Sequence, residues 1–104
     1  MEREVAYVRK TVGELSTRFS GVVKLVRGDM GITAFGAQIF DLPAGGSGRL
    51  HSEAVTAQEE LYVNLGGAGW MLVQGERVSV GPDTLISVAP GADRQTVAGS
   101  DGLR

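Results

Sequence analysis

Sixteen glycines punctuate the 104 residues of this chain, falling between short runs of Val, Ile, Leu and Thr and not in a G-X-Y register. Runs so short do not sustain long helices, and glycine supplies the backbone freedom that lets a chain reverse every few residues. The pattern predicts many short strands joined by tight turns, which is the sequence form of an antiparallel sandwich or barrel with almost no helix. An apolar share of 42% is enough to build a core and excludes a disordered, solvating segment. A chain of 104 residues is the usual size of one domain, so 1–104 is expected to fold as a single one.

Read in order, residues 5–9 alternate as a short strand, and Thr11 with Glu14 offers a capping box for one helical turn. Residues 22–27 predict a strand ending at a Gly28-Asp29 turn, and 32–42 a longer extended run broken at Gly36. The PAGGSG segment, 43–48, reads as a loop. Strands follow over 61–65 and 70–74, with 66–69 as the turn between them; Gly75-Glu76 then forms a two-residue hairpin into 77–80. Pro82-Asp83 turns into a strand over 84–89, Pro90-Gly91 turns again, and 95–98 closes as a short strand.

Composition removes whole classes of chemistry. There is no cysteine, which excludes disulfides, thiolate nucleophiles, iron–sulfur clusters and cysteine zinc sites. His51 is the one histidine, so paired-histidine metal motifs are excluded too, and a Ser–His–Asp triad nearly so, since Ser52 would leave a strand on the opposite face. A net charge of −2 without any basic stripe argues against nucleic acid as a partner. The opening MEREVAYVRK lacks the apolar run of a signal peptide, and no stretch has a membrane span's length of apolar residues; a cytoplasmic protein without a membrane partner is expected. The glycine-rich 66–69 opens no helix, which removes a phosphate-cradling role, and the single Trp70 reads as a packing anchor.

Between Pro43 and Gly91, Gly45 is followed after five residues by His51, and Glu60 after six by Gly67; on these positions the sequence resembles the cupin superfamily. That family's first motif opens with a Gly and, after five residues, a His, as Gly45 and His51 do here. Glu53 stands where a second His belongs, and Glu60 is followed after six residues by Gly67, as the end of the motif requires. The gap from Glu53 to Glu60 is six residues, a modest expansion. The second motif is degraded: Gly91 is kept, while Ala89, Arg94 and Ala98 replace its Pro, His and Asn. The resemblance implies an all-β fold, an antiparallel cupin-like jelly-roll barrel with at most a short N-terminal helical turn. It also implies a homodimer through a sheet face, for which Leu61, Val63, Leu65 and Trp70 are suited.

His51 and Glu53 lie two apart, which on a strand turns both to one face, and Glu60 would join them from the next strand. A His with two carboxylates is a set that holds Fe, Mn, Zn or Ni. Arg94 counts against such a cofactor, because a guanidinium has no lone pair to give and repels a dication. Its natural partner is Glu60 or Glu53, beside which it would supply the positive charge a metal supplies elsewhere. Tyr62 and Asn64 share the face of Glu60 by alternation and would line the same pocket. Periodicity alone points the other way, since Leu61, Val63 and Leu65 are the apolar face; the resemblance turns Glu60 inward, and that reading is adopted here.

Two functions remain open from the sequence. The first is a small-molecule-binding domain with a degenerate metal site and no strongly bound metal, its pocket built from His51, Glu53, Glu60, Tyr62, Asn64 and Arg94. The alternative is a metal-dependent enzyme of oxygenase or isomerase type, with His51, Glu53 and Glu60 as ligands.

Overall fold

Three antiparallel sheets account for nearly all regular structure in the computed structural model, which describes residues 6–104. Strands β1 (Thr17–Arg18), β2 (Val23–Leu25) and β3 (Gln38–Phe40) form the first, in the order β1-β2-β3. Strand β4 (Glu60–Val63) pairs with β7 (Leu85–Val88), and β5 (Gly67–Val73) lies between β6 (Glu76–Val80) and β8 (Arg94–Leu103). The chain divides into two units, Met1–Asp41 with the first sheet and Leu42–Arg104 with the other two.

In the first unit the Thr11–Glu14 signal forms as a single 3-10 turn, Val12–Glu14, with the Thr11 N–H donating to Glu14 Oε1 over 3.2 Å. Residues 6–9 carry no regular structure, and Val5 lies outside the described residues. The strand expected over 22–27 stops at Leu25. A five-residue helical turn, α1 (Val26–Met30), follows and ends where Gly31 takes the left-handed conformation at φ 66°. The long extended run expected over 32–42 shortens to β3 because the Arg27 N–H binds the Ala37 carbonyl, and the side chain of Arg27 holds the Ile32 and Thr33 carbonyls. Among the described residues of this unit Leu15 and Val23 are the buried apolar ones, and Lys24 pairs with Asp41 at 3.2 Å.

In the second unit pairing sets which residues face inward. Met71 lies opposite both Val78 and Thr96, and Gly69 opposite Val80 and Ala98; Met71 and Ala98 are 2% and 1% exposed. Residues opposite one another across antiparallel strands project to the same face, so this row is the buried face of the sheet. Val88 on β7 and Leu42 and Leu103 complete the buried apolar set.

Two turn expectations shift. The hairpin loop is Gln74-Gly75, not Gly75-Glu76: Val73 pairs with Glu76, and both loop residues have positive φ, 49° and 81°, the mark of a type I′ turn. Likewise β5 begins at Gly67, where a turn was expected, and β8 runs through Gly99 and Gly102 to Leu103 instead of ending at 98. These glycines mark close approach of backbones. A Cβ on Gly69 would collide with the Val97 carbonyl, and one on Gly67 with that of Gly102.

The PAGGSG segment is also no free loop. Gly45 and Gly48 donate to the Gly99 and Thr96 carbonyls at 3.0 and 2.8 Å, and Ala98 donates to the Gly46 carbonyl at 2.8 Å. Bridges pair Leu42 with Leu103, Ser47 with Val97, and His51 with Arg94. Residues 42–51 therefore run along the free edge of β8 and deliver His51 to its start.

Candidate functional site

Three segments of the second unit supply the candidate residues. His51 ends the segment bound to β8, and Glu53 follows it, anchored through its N–H to the Pro90 carbonyl at 2.8 Å. Glu60 and Tyr62 come from β4, where they lie opposite Val88 and Ile86. Arg94 opens β8, opposite Val73 on one side and His51 on the other.

On β4 the burial decides between the two faces. Leu61, Val63, Leu65 and Leu85 are exposed by 64%, 49%, 61% and 61%, while Val88, opposite Glu60, is buried. Glu60 and Tyr62 thus share the inward face, and the apolar alternation of this strand points outward.

His51, Glu53 and Glu60 converge: one donor atom of each lies within 4.8 Å of the other two. The His51 Nε2 is 3.5 Å from Glu60 Oε1 and 3.7 Å from Glu53 Oε1. Its Nδ1 is 3.1 Å from the Arg49 carbonyl oxygen. A carbonyl only accepts, so Nδ1 is assigned a proton toward it, and Nε2 is the ring atom turned toward the two carboxylates. The other oxygen of Glu53 accepts from the Thr56 hydroxyl at 3.1 Å.

Glu60 Oε1 is the hub. Tyr62 donates its hydroxyl to it at 2.5 Å, and Arg94 Nη1 stands 3.5 Å away. Burial raises the Tyr62 pKa first, and its bond to the Glu60 carboxylate raises it further, so the phenol stays a donor. Arg94 is 1% exposed; its Nη2 donates to the Ala89 carbonyl at 2.7 Å, while Nε and Nη1 have no hydrogen-bond acceptor among the described residues.

Asn64, expected with this group, is spent elsewhere. Its amide donates to the Gly67 and Gly81 carbonyls at 2.9 and 2.5 Å, and its oxygen accepts from the Gly66 N–H at 3.1 Å. It is a strut between two turns, with no hydrogen-bonding capacity placed toward the cluster. Sequence reasoning missed the supports: the Arg49 and Ala89 carbonyls, which are backbone atoms without a residue signature, and Thr56. Only Thr56 left a trace, as a hydroxyl residue three after Glu53.

A divalent metal finds donors here of suitable kind, with the His51 ring oriented by a backbone carbonyl as metal-binding imidazoles commonly are. The surroundings do not fit it. Glu60 Oε1, the oxygen 3.5 Å from His51, already holds the Tyr62 hydroxyl, and a buried guanidinium stands 3.5 Å from it. A dication would set three positive charges against two carboxylates.

No protein-family model and no curated protein matches the chain. Among solved structures it is similar to the crystal structure of a cupin protein from Bacteroides fragilis, at 25% identity and a TM-score of 0.78, over 95% of this chain and 78% of that one.

Proposed function

This chain belongs to the cupin superfamily, with the all-β fold of its jelly-roll barrels, and from that premise we propose that it is a small-molecule-binding domain. Its pocket is His51, Glu53, Glu60, Tyr62 and Arg94, working without a strongly bound metal. The observation that carries this reading is Arg94, 1% exposed and 3.5 Å from Glu60, which puts a permanent positive charge beside the carboxylates. Charge compensation is the task a metal would otherwise perform, and a guanidinium cannot lose its proton to make way for one.

Elemental analysis of protein purified without chelator or metal-affinity tag tests it. Trace metal, unchanged by His51→Ala, is the expected result. Near-stoichiometric Fe, Mn, Zn or Ni, lost in His51→Ala, overturns it in favour of the second reading, a metal-dependent enzyme with His51, Glu53 and Glu60 as ligands. That second reading draws its support from the convergence of the three donors within 4.8 Å.

The outward face of β4 and β7 carries Leu61, Val63 and Leu85, with Leu65 beyond, all exposed. We read this apolar face as the surface of a homodimer. Light scattering across a dilution series is expected to show dimer passing to monomer, with Leu61→Lys shifting the balance to monomer; a monomer at every concentration overturns it. Among the described residues no helix is long and apolar enough to cross a membrane.

A further inference from the structure

We infer that the pocket takes an uncharged ligand carrying a carboxamide, whose carbonyl oxygen accepts from the buried Arg94 guanidinium and whose N–H groups meet the carboxylates beside it. The inference rests on the metal-free reading of the pocket and adds the class of ligand.

Arg94 is the observation that points to a ligand. Its side chain is 1% exposed, and of its guanidinium nitrogens only Nη2 has an acceptor, the Ala89 carbonyl at 2.7 Å; Nε and Nη1 have none among the described residues. Buried donors normally have partners, so this guanidinium calls for a further oxygen. Glu60 does not supply it, because its Oε1 stands 3.5 Å from Nη1 and already holds the Tyr62 hydroxyl. Nη1 is closed to water, and the side chain beside it with freedom to turn and admit an oxygen is Glu60, at 33% exposure.

Charge decides what kind of oxygen fits. Two carboxylates, Glu53 and Glu60, stand against the one guanidinium. A proton on both nitrogens of His51 brings the sum to zero, and a single proton leaves one negative charge in excess. In neither state does the site hold a positive surplus for a ligand carboxylate or phosphate, which would also lie against Glu60. An ammonium fails for a different reason, since it brings donors to a guanidinium short of acceptors. An uncharged carbonyl serves Arg94 in both states of His51. It is also the kind of acceptor that Nη2 already takes, and unlike a hydroxyl it brings no hydrogen of its own. The carboxylates then want donors next to that oxygen. Glu53 offers Oε1, its Oε2 being held by the Thr56 hydroxyl at 3.1 Å. A primary carboxamide carries the acceptor and the donors on one planar group.

Four probes of one carbon skeleton test this: lactamide, lactate, 1-amino-2-propanol and 1,2-propanediol. Each is titrated into the isotopically labelled full chain at neutral pH and constant ionic strength, and followed by the Nε–H resonance of Arg94. We expect lactamide to shift that resonance saturably, the diol to bind several-fold more weakly, and the anion and the ammonium at least ten-fold more weakly. Glu53→Gln, shown to be folded by far-UV circular dichroism, is expected to narrow the gap between lactate and lactamide at least three-fold, because one repelling carboxylate is gone. The probe series needs no variant, so it decides the matter even where that substitution unfolds the chain. Lactate, the ammonium or the diol binding as tightly as lactamide overturns the carboxamide assignment while leaving a metal-free pocket in place. So does the absence of any binding, binding that leaves the Arg94 resonance unmoved, or an unaltered gap in the folded variant. Near-stoichiometric metal in the elemental analysis removes the underlying reading instead, so the two failures are told apart.

Discussion

His51 and Arg94 exchange both of their backbone hydrogen bonds, the His51 N–H reaching the Arg94 carbonyl at 3.0 Å and the Arg94 N–H the His51 carbonyl at 2.8 Å. Residues paired this way in antiparallel strands send their side chains to the same face. The imidazole and the guanidinium are thus both placed beside Glu60 by main-chain pairing, before any side-chain attraction acts.

Arg94→Met tests how much the buried cation matters. It leaves the part-exposed Glu60 without its cation and the Ala89 carbonyl without its donor, and losing contacts of this kind costs about 1–3 kcal/mol. Urea unfolding is expected to show a loss of that order, with Arg94→Met/Glu60→Gln recovering part of it. Equal loss in the single and double variants would mean the pair is not coupled.

Tyr62 makes stability depend on alkaline pH. Its folded pKa lies above the ordinary 10.0 because of burial and the bond to Glu60. The folded state therefore keeps a proton that the unfolded chain gives up. The resulting stabilisation is complete below pH 10.0 and declines as pH rises past it. Tyr62→Phe is expected to flatten the fall of the urea midpoint on the alkaline side; a slope equal to that of the parent would assign the effect to another group.

Asp29 acts at the acid end. The backbone N–H of Ser16, 2.6 Å from Asp29 Oδ2, is the largest influence holding this carboxyl below its ordinary 3.8. The unfolded state then binds more protons in the acid range, so this contribution is present above pH 3.8 and lost as pH falls toward the lowered value. Asp29→Asn is expected to reduce stability at neutral pH and to shrink the acid dependence, read from unfolding midpoints at stepped pH.

Asn64→Ala is expected to destabilise without touching the candidate pocket. It removes two bonds to carbonyls and one from the Gly66 N–H, at a residue 7% exposed. Leaving such groups unmet costs about 1–3 kcal/mol. Urea unfolding should show a loss of that size, with the far-UV circular dichroism of the folded variant unchanged. An unchanged unfolding free energy would mean that these bonds do not hold the two turns together.

Much of this was legible from residues alone. The kinship showed in Gly45, His51, Glu60 and Gly67, and it overrode the alternation that would have buried Leu61 and Val63. Local rules captured the turn at Thr11–Glu14 because its chemistry lies within four residues. They lost the ends of β5 and β8, since Gly67, Gly69, Gly99 and Gly102 look like turn residues until a second strand lies against them. Asn64 failed for a related reason. Alternation assigns a face, but it cannot tell that the strand has ended at Val63 and that two turns lie within reach of the next side chain.

Trp70 is the chain's only tryptophan, and it projects from the face of β5 opposite to that of Val73 and Arg94, with the Arg77 guanidinium 3.9 Å from its ring centroid. Its emission consequently reports on the outside of the sheet. Intrinsic fluorescence should follow loss of the fold cleanly yet stay silent when the pocket fills, so a titration watched only by that signal would score a true ligand as inert.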